Sequence, residues 1–178
     1  MPNPKKTPQP PVWIGRTGPT HLGEVWVALS ERGLVAVTFG VSRKAFEGIV
    51  HKVTKGEMEY APSHVREAAR QIKDYIDGKR RMFDLPIDWS ILSSDFQRAA
   101  LRAVLAIPYG QTRTYAEIAA QIGHPNAPRA VGRANATNPM PLVIPCHRVI
   151  GTDGKLHGYG GAGGLKTKTW LLKMESGK

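Results

Sequence analysis

The chain has 178 residues, 41% of them hydrophobic, enough to bury a core as one domain or two small ones. No apolar run approaches membrane-spanning length, the opening stretch MPNPKKTPQPPVW carries no signal-peptide apolar region, and a lone cysteine excludes an intramolecular disulfide or a cysteine-cluster zinc site. A soluble cytoplasmic protein without metal or cofactor is the expectation. The net charge of +11 is uneven: residues 1–90 hold 14 Lys/Arg against 10 Asp/Glu, residues 91–178 hold 11 against 4, and 118–152 hold no acid.

In chain order, 1–12 is rich in Pro, Lys and polar residues and is expected to be a mobile tail or an extended lead-in. Alternating runs at 24–29 and 34–39 flank Ser30-Glu31-Arg32-Gly33, which predicts a β-hairpin with Gly33 in a permissive turn position. A helix is predicted from Pro62, where Val65, Ala68, Ala69, Ile72, Tyr75 and Ile76 recur at helical spacing and Gly78 ends the pattern. Residues 79–89 return to strand or extended chain, with Pro86 at an edge or exit. Residues 1–90 therefore form a small α+β unit in which no site chemistry is visible.

The second unit, 91–178, opens with Ser94-Asp95-Phe96-Gln97, a capping box ahead of the stripe Phe96, Ala99, Ala100, Ala103, Val104 and Ile107. Thr114-Tyr115-Ala116-Glu117 is a second box, opening a short helix that stops at Gly123. Pro128 suits the first turn of another helix, running to about Ala136. Helix, short turn, helix in the most basic stretch is a helix-turn-helix candidate, with Arg129 and Arg133 free to reach phosphates or bases. A tightly packed helix pair using small residues for core contact explains the same pattern without DNA.

The chemistry concentrates in 138–149. Three prolines stiffen the segment, and Leu142-Val143-Ile144 is expected to be a short buried extended piece. Cys146 emerges beside an imidazole, His147, and a guanidinium, Arg148, which favour the thiolate that a nucleophile needs. Sequence neighbours point to different sides, so His147 acts on the thiol most simply through a water. Glu175, three and four positions after Leu172 and Leu171, shares a helix face with apolar residues and there needs a partner such as a histidine; a frayed, exposed end is the other reading. Asn138 is either a turn residue or an orienting hydrogen-bond group.

Pro145-Cys146-His147-Arg148-Val149, preceded by Asn138-Pro139, resembles the active-site signature of the O6-alkylguanine-DNA alkyltransferases. Ile107-Pro108-Tyr109-Gly110, Thr114-Tyr115, Arg129-Ala130-Val131-Gly132, Gly158-Tyr159 and Trp170-Leu171-Leu172 recur in that family in this order. The likeness is close over about 90–175 and looser before it.

The resemblance implies an α+β fold: a small N-terminal ribonuclease H-like unit, then a mostly helical unit with a helix-turn-helix. It implies repair of O6-alkylguanine, with O4-alkylthymine left open, by irreversible transfer of the alkyl group to Cys146, one event per chain. The partner implied is double-stranded DNA carrying the lesion, met by a monomer, with cooperation between copies on DNA left open and no membrane involved. The 129–136 helix would enter the minor groove, its small residues Ala130, Gly132, Ala134 and Ala136 permitting close approach and Arg133 lying beside them. Arg129 would fill the gap left by the flipped base, and Tyr115 would help extrude it and donate to the leaving guanine. His147, oriented by Glu175, would take the thiol proton while Asn138 braces the turn. Backbone groups near Cys146 and Val149 would contact the guanine edge, with Tyr159 and Gly160 at the pocket.

Three departures stand out. The run Gly160-Gly161-Ala162-Gly163-Gly164 is longer and more flexible than the family's loop. The absence of a second cysteine argues against the N-terminal zinc site of some members. Relatives that only bind lesions carry tryptophan in place of the cysteine, so Cys146 points to the reactive branch. A lesion-sensing or regulatory helix-turn-helix module, with Cys146 structural, is the alternative from another class; a cysteine hydrolase is more distant, lacking an oxyanion signal.

Overall fold

The hairpin forms as predicted, β2 (Val25–Ser30) pairing antiparallel with β3 (Gly33–Phe39) across Glu31 and Arg32. Gly33 is required there: its φ is +129°, and a Cβ would stand 2.3 Å from the Pro86 carbonyl oxygen. The computed structural model describes residues 11–177. Most of the expected tail at 1–12 lies outside them, but Val12 is the buried first residue of a strand, β1 (Val12–Arg16). Its N–H donates to the Glu57 carbonyl at 2.9 Å, so β4 (Met58–Tyr60) ties it down in parallel while β2 pairs with β1 antiparallel. The sheet order is β3-β2-β1-β4.

The alternation in β2 sorts residues between two cores instead of between core and solvent. Val25 and Val27 face α2 (Pro62–Ile76), whereas Trp26 and Ala28 join Phe46 and Val50 of α1 (Arg43–Thr54). Residues 79–89 form no strand; they bend at 79–82 and run irregularly, with one bridge, Ile87 to Leu34, to a 3-10 turn that starts at Trp89. Pro86 has no N–H to continue a ladder, and its carbonyl is taken by Leu34 N–H at 2.8 Å.

The predicted helices of the second half appear as α3 (Asp95–Leu105), α4 (Tyr115–Gln121), α5 (Pro128–Ala136) and, expected from about Leu165 to Ser176 with Glu175 on its apolar face, α6 (Gly164–Ser176). Thr114 and Glu117 form the full capping box. At α3 only half of the expected box forms, because the Gln97 amide donates to Thr137 Oγ1 at 3.0 Å, tying α3 to the end of α5. Between α5 and α6, β6 (Val149–Ile150) pairs in parallel with β5 (Arg113–Thr114).

The core does not stop at residue 90. One apolar cluster joins Val25, Val27, Leu34, Val37 and α2 to Leu101, Val104, Ile118, Val131, Met140 and Leu171. A main-chain bond crosses as well, from Val37 N–H to the Pro139 carbonyl at 2.9 Å. The sheet thus abuts the segment that carries the cysteine. Among the described residues no helix is long and apolar enough to cross a membrane.

Candidate active site around Cys146

The approach to Cys146 is a turn, not the extended piece expected at 142–144. Asn138 imposes the bend: its amide donates to the Ile144 carbonyl at 2.9 Å, and its Oδ1 accepts from Met140 N–H at 3.0 Å. Ile144 N–H closes on Met140 O at 2.9 Å, and Leu142 is left with a φ of +76°. Such a conformation costs a leucine about 1–2 kcal/mol, yet Leu142 is wholly buried in the core, and that burial offsets the cost. Cys146, His147 and Arg148 then form a single 3-10 turn, all three buried.

Behind the cysteine lies a closed polar network. His147 Nε2 sits 2.8 Å from Glu175 Oε1, which establishes the partnership expected between the histidine and the carboxylate on the apolar face. With a carboxylate at Nε2, the neutral ring holds its proton there and leaves Nδ1 as acceptor. Nδ1 is buried and has no hydrogen-bond partner among the described residues. Arg148 joins Glu175 through Nε and Nη2 and gives Nη1 to the Ile107 carbonyl at 2.6 Å. Gly110 N–H reaches Glu175 Oε2 at 3.1 Å. Tyr75, on α2, donates to Glu175 Oε1 at 2.5 Å with its hydroxyl 3.2 Å from His147 Nε2. Residues 1–90, where the sequence shows no site chemistry, thus place a hydroxyl in this network.

These contacts set the ionisation states. Burial alone would push the Glu175 carboxyl up, but hydrogen bonds from His147 and Arg148 hold it well below the usual range. Burial dominates at His147 and lowers its pKa, with Glu175 pulling the other way, so the imidazole rests neutral. Burial likewise pushes the Cys146 thiol above its ordinary value, only partly opposed by Asn138 and Lys168. The expectation that its neighbours favour a standing thiolate is therefore corrected: Arg148 turns away to Glu175, and the thiol needs a base when it reacts.

Lys168 is a buried cation that nothing in the sequence singles out. Its Nζ donates to the carbonyls of Val149, His157 and Gly158 at 2.7, 3.0 and 3.3 Å, and burial brings its pKa to about 8. Val149 is accordingly buried with its carbonyl engaged, behind the wall of the cleft instead of on it.

In front of Cys146 opens a cleft of about 930 Å³, with Tyr115, Asn135, Tyr159 and Gly160 in its lining and Arg129 and Gly132 on the α5 side. Tyr115 donates to the His157 carbonyl at 3.2 Å, linking α4 to the far wall. The Tyr159 hydroxyl and both amide atoms of Asn135 are buried without partners among the described residues. Arg129, Ala130, Arg133 and Ala136 are exposed along α5. Two glycines of the run are needed for close approach. A Cβ on Gly160 would lie 2.9 Å from the Ala136 carbonyl oxygen, and one on Gly161 would lie 2.4 Å from the Tyr159 ring.

A buried thiol beside a neutral imidazole, at the wall of a cleft flanked by α4 and by the two arginines of α5, is suited to attack one electrophilic carbon brought in from outside. The comparisons with known proteins agree with that arrangement. Residues 16–89 match the ribonuclease-like domain of 6-O-methylguanine DNA methyltransferase, and 95–177 match its DNA-binding domain. A methylated-DNA–protein-cysteine methyltransferase of Methanosarcina barkeri is 45% identical over 154 residues, covering 86% of this chain and 91% of the relative. The crystal structure of the O6-methylguanine methyltransferase of Mycobacterium tuberculosis superposes with a TM-score of 0.74 at 35% identity, over 92% of this chain and 93% of that one. The M. tuberculosis protein in complex with DNA gives the same TM-score and identity, over 94% and 93%. Matched in both halves and over nearly its whole described length, this chain belongs to the 6-O-methylguanine DNA methyltransferase family.

Proposed function

We propose that this protein repairs alkylated DNA by moving the alkyl group from O6 of guanine to Sγ of Cys146, once per chain. The observation that carries the reading is the Cys146–His147–Glu175 arrangement: a thiol 5% exposed at a cleft wall, next to an imidazole whose Nε2 is held by a carboxylate. The Cys146 proton passes to His147 Nδ1, directly or through one water. Sulfur forms a bond to the alkyl carbon, and the carbon–O6 bond breaks with its electrons going to guanine, which then takes up a proton. A thioether has no hydrolytic exit at this site, so the acceptor is not regenerated.

The reacting carbon lies on a base edge inside the duplex, so the nucleotide must leave the stack. Arg129, exposed at the start of α5, would fill the vacated space, with Ala130, Gly132 and Ala136 letting the helix approach a minor groove and Arg133 reaching a phosphate. Tyr115 and Tyr159 would bracket the base, and Gly160 would let the loop close on it. Asn138 keeps the cysteine turn in place. The protein would act as a monomer on double-stranded DNA in the cytoplasm.

Peptide masses taken after mixing the protein with duplex DNA bearing one O6-methylguanine test this reading. The Cys146 peptide gains one methyl group, the DNA is restored, and turnover stops at one per chain, whereas Cys146→Ser transfers nothing. Tight binding without transfer would leave a lesion-sensing module.

A further inference from the structure

We propose that Tyr75, contributed by the N-terminal unit, is a positioning residue for the transfer step, its hydroxyl holding Glu175 and the Nε2 edge of His147 so that Nδ1 stays the free proton acceptor. The inference rests on the reading that His147 takes the thiol proton.

Tyr75 lies in the last turn of α2 and is wholly buried. Its ring is fixed by Phe83, with centroids 5.1 Å apart, and by the edge-on ring of Tyr109 at 6.3 Å. A phenylalanine would fill that space equally well. What the hydroxyl adds is a 2.5 Å bond to Glu175 Oε1 and a 3.2 Å approach to His147 Nε2. The oxygen it binds is the one that accepts from His147.

The groups facing the imidazole give the hydroxyl a definite effect. Glu175 and Lys168 come from α6, Arg148 and Cys146 from the same turn, and Tyr75 from α2; Tyr109, under Arg81 and with its hydroxyl toward the Met174 carbonyl, stands behind Tyr75. Arg148 and Glu175 cancel in charge. Tyr75 remains a neutral donor, because burial and then the Glu175 charge push its ionisation well above the ordinary value. Donating to Oε1, it draws down the charge that this oxygen presents to His147. The carboxylate then orients the ring without protonating it, and the base stays neutral until the thiol gives up its proton. Removing the hydroxyl concentrates the carboxylate's pull on His147 and favours the imidazolium, which cannot accept.

Single-turnover rates with free O6-benzylguanine, followed across the acid range, test the assignment without involving DNA. Tyr75→Phe should move the acid limb of the profile to higher pH and lower the plateau rate about five-fold. Site-specific 3-fluorotyrosine at position 75 keeps the volume and strengthens the donor, so it should move the limb to lower pH; this variant decides the matter if Tyr75→Phe does not fold. Ile72→Val, buried one turn earlier on α2, should lower Tm while leaving the limb in place. A Tyr75→Phe protein with the wild-type limb and plateau, whatever its Tm, reduces Tyr75 to packing. His147→Gln measured alongside separates the two levels: a wild-type profile there overturns the role of His147 itself, whereas an altered one with Tyr75 silent overturns only the present proposal.

Discussion

Arg148 and Glu175 meet as a two-pronged ion pair inside the protein, Nε 2.9 Å from Oε2 and Nη2 2.8 Å from Oε1. Both side chains are almost completely removed from water. Such a pair adds little net stability while intact, but losing one member strands the other charge in the interior. Glu175→Gln should therefore destabilise the fold by about 3 kcal/mol or more, seen as a lower denaturation midpoint. Because the same carboxylate orients His147, alkyl transfer should slow well beyond what the unfolded fraction explains. Unchanged stability would mean that the guanidinium finds water or another partner when Glu175 is neutral.

Acid should weaken the fold in two stages. His147 takes up a proton near its ordinary 6.5 in the unfolded chain and Glu175 near 4.5, but both do so only at lower pH when folded. The unfolded state thus holds more protons in these windows, so stability falls as pH drops below 6.5 and again below 4.5. Urea midpoints measured at successive pH values check the slope. In His147→Gln the upper stage should disappear.

Arg129→Ala should slow repair of duplex DNA by about ten-fold, since extrusion of the base loses its filler, while reaction with free O6-benzylguanine stays near wild type. Equal losses on both substrates would remove Arg129 from base flipping. Wild-type affinity for duplex should fall steeply with salt, and Arg133→Ala should flatten that slope by about one phosphate contact.

Lys168→Met keeps the aliphatic stem but leaves the carbonyls of Val149, His157 and Gly158 without their shared donor. A loss of about 1–3 kcal/mol is expected, together with slower reaction on free base and duplex alike, because the wall bearing Gly158 loosens. The Cys146 thiol, losing a nearby cation, should titrate higher still when followed by thiolate absorbance.

How much of this was legible beforehand depended on the range of the signal. Ser94 and Thr114 mark helix starts through bonds to residues three positions on, Pro128 through its fixed φ and missing N–H, and all three helices form there. Glu175 on an apolar helix face announced a buried partner, and His147 is that partner. Residues 142–144 misled, because branched apolar side chains suggest a strand while the bend comes from the Asn138 side chain. Tyr75 looked like one more core residue at helical spacing, since its hydroxyl finds a use only 100 positions away. Arg148 reads as a thiolate activator because its counter-ion also lies beyond local range, 27 positions on. Lys168 serves main-chain carbonyls, which have no signature in residue type.

The separation of 100 positions between Tyr75 and Glu175 also bears on how the protein comes into being. Contacts between distant segments cost more chain entropy to close and slow the folding of the parts that need them. Helices α3 to α5 can assemble from local contacts, but the proton acceptor cannot be set until α2 and α6 have converged on it. Competence to react should accordingly appear only once both units have folded, so that the single-turnover rate during refolding follows the slowest phase.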